Sequence, residues 1–173
     1  HPDTSAINDL YLDRLRGTVK TSDSIAQNDF RLYRIPLRGT TATYEVISNY
    51  GIELPAIHYQ RYNTYDYGVA YGVSTDRQHP DAVVNILARV DIHTGTTTLW
   101  SEESCYPGEP IFVEAPDAQR EDDGVILSVV LNALKGNSFL LVLDAHTFEE
   151  IGRAEVPHHI PLGFHGIFFP EVV

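Results

Sequence analysis

Glu53, Glu109 and His165 each stand beside apolar residues and a glycine or proline, in IELPAIHY (52–59), YPGEPIFVEAPDAQREDDGVILS (106–128) and VPHHIPLGFHG (156–166). A carboxylate in apolar surroundings must be paired or protonated. An imidazole there must satisfy both nitrogens or offer one to a ligand. One arrangement meets both needs: a glutamate accepts the ring N–H of a metal-bound histidine, fixing its tautomer and strengthening it as a ligand. The alternatives are plainer. The glutamates would accept backbone N–H groups at turns, and His165 would be a core residue satisfied by backbone. Gly163 and Gly166 remove bulk on either side of His165, which lets another group come close to the ring.

The other ionisable candidates read differently. His93 and His146 lie in Asp-x-His-Thr turns, where a solvated ring is expected. His158 and His159 read as exposed loop residues, although a tandem pair so near His165 invites a metal assignment. Cys105 is the single cysteine, so no internal disulfide forms. With no histidine or basic residue beside it, it reads as a plain thiol, and it fits a reducing, cytoplasmic interior.

The elements that must hold these residues are β-strands. FRLYRIPL (30–37) alternates apolar and polar residues as a half-buried strand does. YDYGVAYGV (65–73) is aromatic and β-branched. VVNILARVDI (83–92) and TTTLW (96–100) read as a hairpin with Gly95 in the turn. GVILSVVLNA (124–133), SFLLVLDA (138–145) and IGRAEVP (151–157) read as a three-stranded meander. Only TSAINDLYLDRL (4–15) suits a helix, and an edge strand fits it equally well. ARVDIHTGTTTLW and LLVLDAHTFEEIGRAEV share a strand, an Asp-x-His-Thr turn and a departing strand. Such a repeat, about fifty residues apart, is what propeller blades look like in sequence.

The chain has 173 residues, 43% of them hydrophobic, enough for one sizeable core. Its net charge is −12, with 24 acidic residues against two lysines, Lys20 and Lys135, and ten arginines. That balance argues against nucleic acid or an anionic membrane surface as partner. No apolar run is long enough to span a bilayer, and no signal peptide is visible. The chain contains no methionine, so its amino end reads as a cut made inside a longer protein.

GEPIFV, EDDGVILSVV, LLVLDAHTFEEIGRAEVP and IPLGFHG, in this order, resemble the C-terminal end of the carotenoid cleavage oxygenases. That family also contains the retinal pigment epithelium isomerohydrolase and the apocarotenoid and stilbene cleavers. IELPAIHY resembles the family's Glu-x-Pro-x-Ile segment, and DLYLDRLRG and RLYRIPL resemble the stretches before it. The resemblance covers residues 1–173 as the C-terminal portion of one domain, about the last third of a family member.

The resemblance implies an all-β fold, part of a seven-bladed β-propeller, roughly its last two to three blades. It implies a ferrous ion, Fe(2+), held on the propeller axis by four histidines, of which His165 matches the last. Glu109 and Glu53 match glutamates that orient iron-bound imidazoles, Glu109 holding His165 and Glu53 a histidine upstream of residue 1. His1, His58, His79, His93, His146, His158 and His159 match no family ligand. Phe164 and Phe112 are candidates for the wall of the substrate tunnel, with plain core as the alternative. The implied activity is oxidative cleavage of a conjugated double bond in a carotenoid or apocarotenoid by O2, giving two carbonyl products. The partners implied are that substrate and the upstream part of the propeller carrying the other three histidines, with membrane contact left open through residues outside this chain. A non-catalytic propeller binding module, or an isomerohydrolase or stilbene cleaver of the same family, are the alternatives.

Overall fold

The computed structural model describes Tyr11, residues 29–76, Gln78 and residues 84–170. These form strands β1 (Phe30–Arg34), β2 (Thr43–Ser48), β3 (Glu53–Ala56), β4 (Val69–Ser74), β5 (Ile86–Asp91) and β6 (Thr97–Trp100). Then come β7 (Cys105–Pro107), β8 (Ile111–Glu114), β9 (Gly124–Asn132), β10 (Asn137–Asp144) and β11 (Glu150–Val156). A single helical turn, α1 (Tyr59–Tyr62), interrupts the series. The segment 4–15, apart from Tyr11, lies outside the described residues, as do His1 and His79.

The strands sort into three antiparallel sheets. β1 and β2 form a hairpin; β3-β4-β5-β6 form the second sheet; β11-β10-β9-β7 form the third, with β8 also pairing β9. Each larger sheet is a meander taken in chain order, the layout of a propeller blade. One hairpin and two blades agree with the two to three blades expected. β3 is the first strand of one blade, and β7 and β8 together are the first strand of the next. Glu53 begins β3, and Glu109 lies in the gap between β7 and β8.

Burial follows the pattern of the strands. β4 and β5 are covered on both faces, so VAYGVS and ILARVD are almost continuously buried. β9 and β10 send alternate residues inward: Ile126, Val130, Phe139, Leu141 and Leu143 join Tyr71, Val73 and Leu87 in one core that spans both blades. The two Asp-x-His-Thr turns are built alike. Asp91 Oδ1 accepts the N–H groups of His93 and Thr94, and Asp144 Oδ1 those of His146 and Thr147. Gly95 closes the first turn at φ +72°, as its place in the sequence predicts.

A polar seam joins the blades. Glu121 accepts the N–H groups of Gly68 and Val69 at the start of β4, at 2.8 and 3.2 Å. Asp122 takes Arg89 Nη2 at 2.7 Å, and Arg89 Nε and the Tyr71 hydroxyl both donate to the Ala145 carbonyl. Burial pushes the Asp122 carboxyl up, but hydrogen bonds from His146 and Arg89 outweigh it and leave it below the ordinary range. His146, expected to be merely solvated, has an exposed ring whose Nδ1 lies 2.7 Å from Asp122 Oδ2. The acidic turn REDD fixes one blade on the other.

Candidate metal centre

Pro107 faces Val130 and Ile111 faces Leu127, so residues 108–110 on the first strand oppose only 128–129 on β9. The extra residue makes a β-bulge, which bends the strand and redirects a side chain. Pro110 has no N–H to give to the ladder, which suits it to this place. Glu109 is the residue the bulge redirects, and its side chain is 18% exposed.

Its carboxylate meets the segment that carries His165. Glu109 Oε1 is 3.1 Å from His165 Nδ1, and Oε2 accepts the Gly166 N–H at 2.8 Å. A carboxylate that accepts only requires Nδ1 to be the protonated nitrogen. In the neutral ring Nε2 then carries the lone pair, the form in which imidazole binds a metal. Glu109 thus makes both kinds of contact weighed from the sequence, to one ring nitrogen and to one backbone N–H. The core reading of His165 does not hold, because its side chain is 64% exposed. Both oxygens of Glu109 are engaged, one by the His165 ring and one by the Gly166 N–H. The donor set fits a metal whose other ligands come from outside this segment.

The tail is moored some residues earlier. Ile160 N donates to Ser138 Oγ at 2.8 Å, and Ser138 N to the His158 carbonyl at 3.2 Å. The flanking glycines do not do what was expected of them within this chain. A Cβ at Gly163 would meet nothing within 4 Å, and one at Gly166 only Ile111 Cδ1 at 3.9 Å.

The remaining candidates are not gathered around His165. Glu53 is exposed, at the start of β3 opposite Val73, in the other blade. Phe112 packs on the core, its ring 4.7 Å from His58 and 6.1 Å from Tyr71. Phe164, 75% exposed, sets its ring edge-on to His165 at 4.4 Å. His93, His158 and His159 are exposed, as expected. Among the described residues no three His, Cys, Asp or Glu side chains gather so as to hold a metal, the tandem pair included. Cys105 is buried, and burial together with Glu102 pushes its thiol up to about 11, which agrees with an inert thiol. No helix among the described residues is long and apolar enough to cross a membrane.

Sequence reasoning set His58 aside as matching no family ligand and gave it no other role. It is buried at the end of β3, its Nδ1 3.2 Å from the Glu121 carbonyl and its Nε2 3.7 Å from Glu114 Oε2. Its only sequence signal was position, just after the apolar run that begins at Glu53.

A family model described as RPE65, retinal pigment epithelial membrane protein, matches residues 1–170. The chain belongs to this family. Human mitochondrial carotenoid-cleaving dioxygenase is 46% identical over 121 residues, 69% of this chain and 20% of that protein. Carotenoid isomerooxygenase of Galleria mellonella is 34% identical over 184 residues, 99% of this chain and 35% of that protein. Among solved structures, a variant of Synechocystis apocarotenoid oxygenase aligns with a TM-score of 0.77 and 28% identity, over 84% of this chain and 31% of that one. A cobalt-substituted form of the Synechocystis enzyme aligns with a TM-score of 0.68 and 32% identity, over 73% of this chain and 27% of that one. The all-β, propeller-type architecture is common to the chain and these RPE65-family structures. The chain spans about a fifth to a third of the length of these relatives.

Proposed function

We propose that this chain is the C-terminal part of a non-haem iron(II) dioxygenase that cleaves a conjugated double bond of a carotenoid or apocarotenoid to two carbonyl products. In this reading His165 is the last of four iron-binding histidines on the axis of a seven-bladed ring. The other three belong to the upstream part of the same propeller. The observation that carries the reading is the Glu109 clamp, which takes His165 Nδ1 and Gly166 N and leaves Nε2 as a neutral donor. Imidazole nitrogen suits ferrous iron, and an all-histidine site with open positions suits dioxygen. Iron, when bound, supplies the activation of O2 beside the polyene. Glu109 holds the ring of His165 in one tautomer and one orientation. Glu53, at the corresponding place in the preceding blade, does the same for an upstream histidine. Phe164, edge-on to the ligand ring, would form part of the apolar wall along which the polyene lies, while Phe112 is held by the core.

Iron analysis of the complete propeller tests this. About one iron per propeller is expected, and His165→Ala should lose it. Unchanged iron in that variant would defeat the assignment and favour a non-catalytic propeller.

A second reading has one observation behind it. The Galleria relative that matches 99% of this chain is named an isomerooxygenase. Coupled cleavage and isomerisation would show as a Z product from an all-E substrate, whereas simple cleavage keeps the E geometry.

A further inference from the structure

Two serines sit where the neighbouring pattern would place apolar residues. Ser128 interrupts GVILSVVLN and is 2% exposed; Ser74 ends VAYGVS and is 5% exposed. A hydroxyl buried without a partner is unfavourable. Each serine gives its proton to a glycine carbonyl, Gly108 between β7 and β8 in one blade and Gly51 just before β3 in the other. Ser128 Oγ donates to the Gly108 carbonyl at 2.9 Å, and Ser74 Oγ to the Gly51 carbonyl at 2.6 Å.

Gly108 directly precedes Glu109, and Gly51 stands two residues before Glu53. Both first strands are bulged, at Gly108–Pro110 in one blade and just after Glu53 in the other. Residues 108–110 oppose 128–129 in one blade, and in the other 54–55 oppose Gly72 alone, between the pairs Glu53↔Val73 and Ala56↔Tyr71. A proline, Pro55 or Pro110, lies within each bulge. A bulge takes carbonyls out of the regular ladder, and a buried carbonyl left without a partner costs free energy. Ser128 satisfies the Gly108 carbonyl within its bulge, and Ser74 ties down the Gly51 carbonyl two residues ahead of Glu53 and its bulge. Gly72 shows how closely the first bulge is packed: a Cβ there would lie 2.6 Å from Ile52 Cβ and 2.9 Å from the Glu53 carbonyl. Both blades therefore combine a glycine carbonyl, a glutamate and a proline on the chain of the first strand with a buried serine on the next, at different spacings.

We propose that Ser128 and Ser74 are positioning residues of the metal centre, Ser128 acting through the bulge that carries Glu109 and Ser74 through the segment that leads into Glu53, to aim both glutamates at the histidines they hold. This rests on the reading of His165 as a metal ligand given above. Neither serine touches the metal or the substrate. Ser128 fixes the peptide from which Glu109 departs, and so the angle at which Oε1 meets His165 Nδ1.

The test is a cobalt(II) titration of the metal-free complete propeller, followed by visible absorption, beside thermal melts of the same variants. Ser128→Ala should weaken cobalt binding roughly 2- to 12-fold, the effect of one lost neutral hydrogen bond, and shift the absorption bands. Ser128→Thr keeps the hydroxyl and should restore affinity and spectrum, even where its extra methyl lowers Tm. Asn132→Ala removes another buried polar group of β9, the acceptor of the Lys135 N–H, and should lower Tm with cobalt binding unchanged. Ser74→Ala makes the same measurement on the other blade should Ser128→Ala fail to fold. The proposal is overturned if Ser128→Ala binds cobalt with wild-type affinity and spectrum while His165→Ala has lost it. It is overturned equally if Asn132→Ala weakens binding as much. Retention of cobalt by His165→Ala would instead overturn the ligand reading itself.

Discussion

Replacing Glu109 by glutamine keeps the shape of the side chain and changes what it can accept. Two donors converge on the carboxylate: His165 Nδ1–H at 3.1 Å and Gly166 N–H at 2.8 Å. Glutamine offers one oxygen and one NH2 group, so whichever way the amide turns, one donor faces another donor. A hydrogen bond to a charged group contributes about 1.5–3 kcal/mol. Solvent reaches the His165 ring and screens the pair, which favours the lower end of that range. About 1.4 kcal/mol corresponds to a tenfold change in an equilibrium constant. Metal affinity should therefore fall about tenfold in Glu109→Gln, at the lower edge of what loss of a ligand-orienting partner usually produces. Glu109→Asp, too short to serve both donors, should fall at least as far. Competition with a chelator of known affinity, on the complete propeller, measures the change directly. If Glu109→Gln holds its metal within about twofold of wild type while His165→Ala loses it, the clamp does not orient the ligand.

Acid should unfold the seam between the blades. The native Asp122 carboxyl binds its proton less readily than in the unfolded chain, so its contribution is fully present above about pH 4 and is lost as pH falls through the lowered native value. Melts between pH 7 and pH 2 should show that loss, and Asp122→Asn, which strands the buried Arg89, should lower stability by roughly 3 kcal/mol at neutral pH and flatten the acid limb. Glu102 and Glu150, both held low by hydrogen bonds from Arg153, should add to the same acid loss. Cys105, with its thiol near 11 and buried, should resist a thiol-specific reagent at pH 8 in the native protein and react at once in denaturant. Fast labelling of the native form would show that the site opens. Gly72→Ala should destabilise by about 1–3 kcal/mol, because the added methyl meets Ile52 and the Glu53 carbonyl in the bulge; a melt unchanged from wild type would mean that the bulge yields.

The strands were legible wherever the apolar pattern ran for six residues or more. β4, β5, β9, β10 and β11 lie where periodicity placed them, and the repeated Asp-x-His-Thr turns use the same Asp side-chain bonds. The short strands β3, β7 and β8 were not legible as strands. Each has at most four residues, and their pairing is set by bulges and by partners far along the chain. The Glu109–His165 pair was foreseen from family resemblance; the settings of its members alone left the plainer readings open. The REDD turn was not, because a run of charge reads as solvated until Arg89, Gly68 and His146 come round to meet it. Ser74 and Ser128 gave no signal of their own. A hydroxyl in a strand acquires meaning only once the register places a stranded carbonyl opposite.

The exposure of His165 at first argues against a site, and the details around it argue the other way. A histidine kept only for the core would be covered, and a histidine kept only for solubility would not need a partner at all. Here an exposed ring has its Nδ1 bound by a glutamate that is itself mostly shielded. That glutamate also accepts the next backbone N–H, and it departs from a bulge whose preceding carbonyl is tied down by a buried serine. A bulge and a buried polar bond each interrupt a sheet that regular pairing would make more stable. These interruptions stand one behind another and converge on the His165 ring and the peptide after it. The metal proposed on Nε2 would give them one purpose.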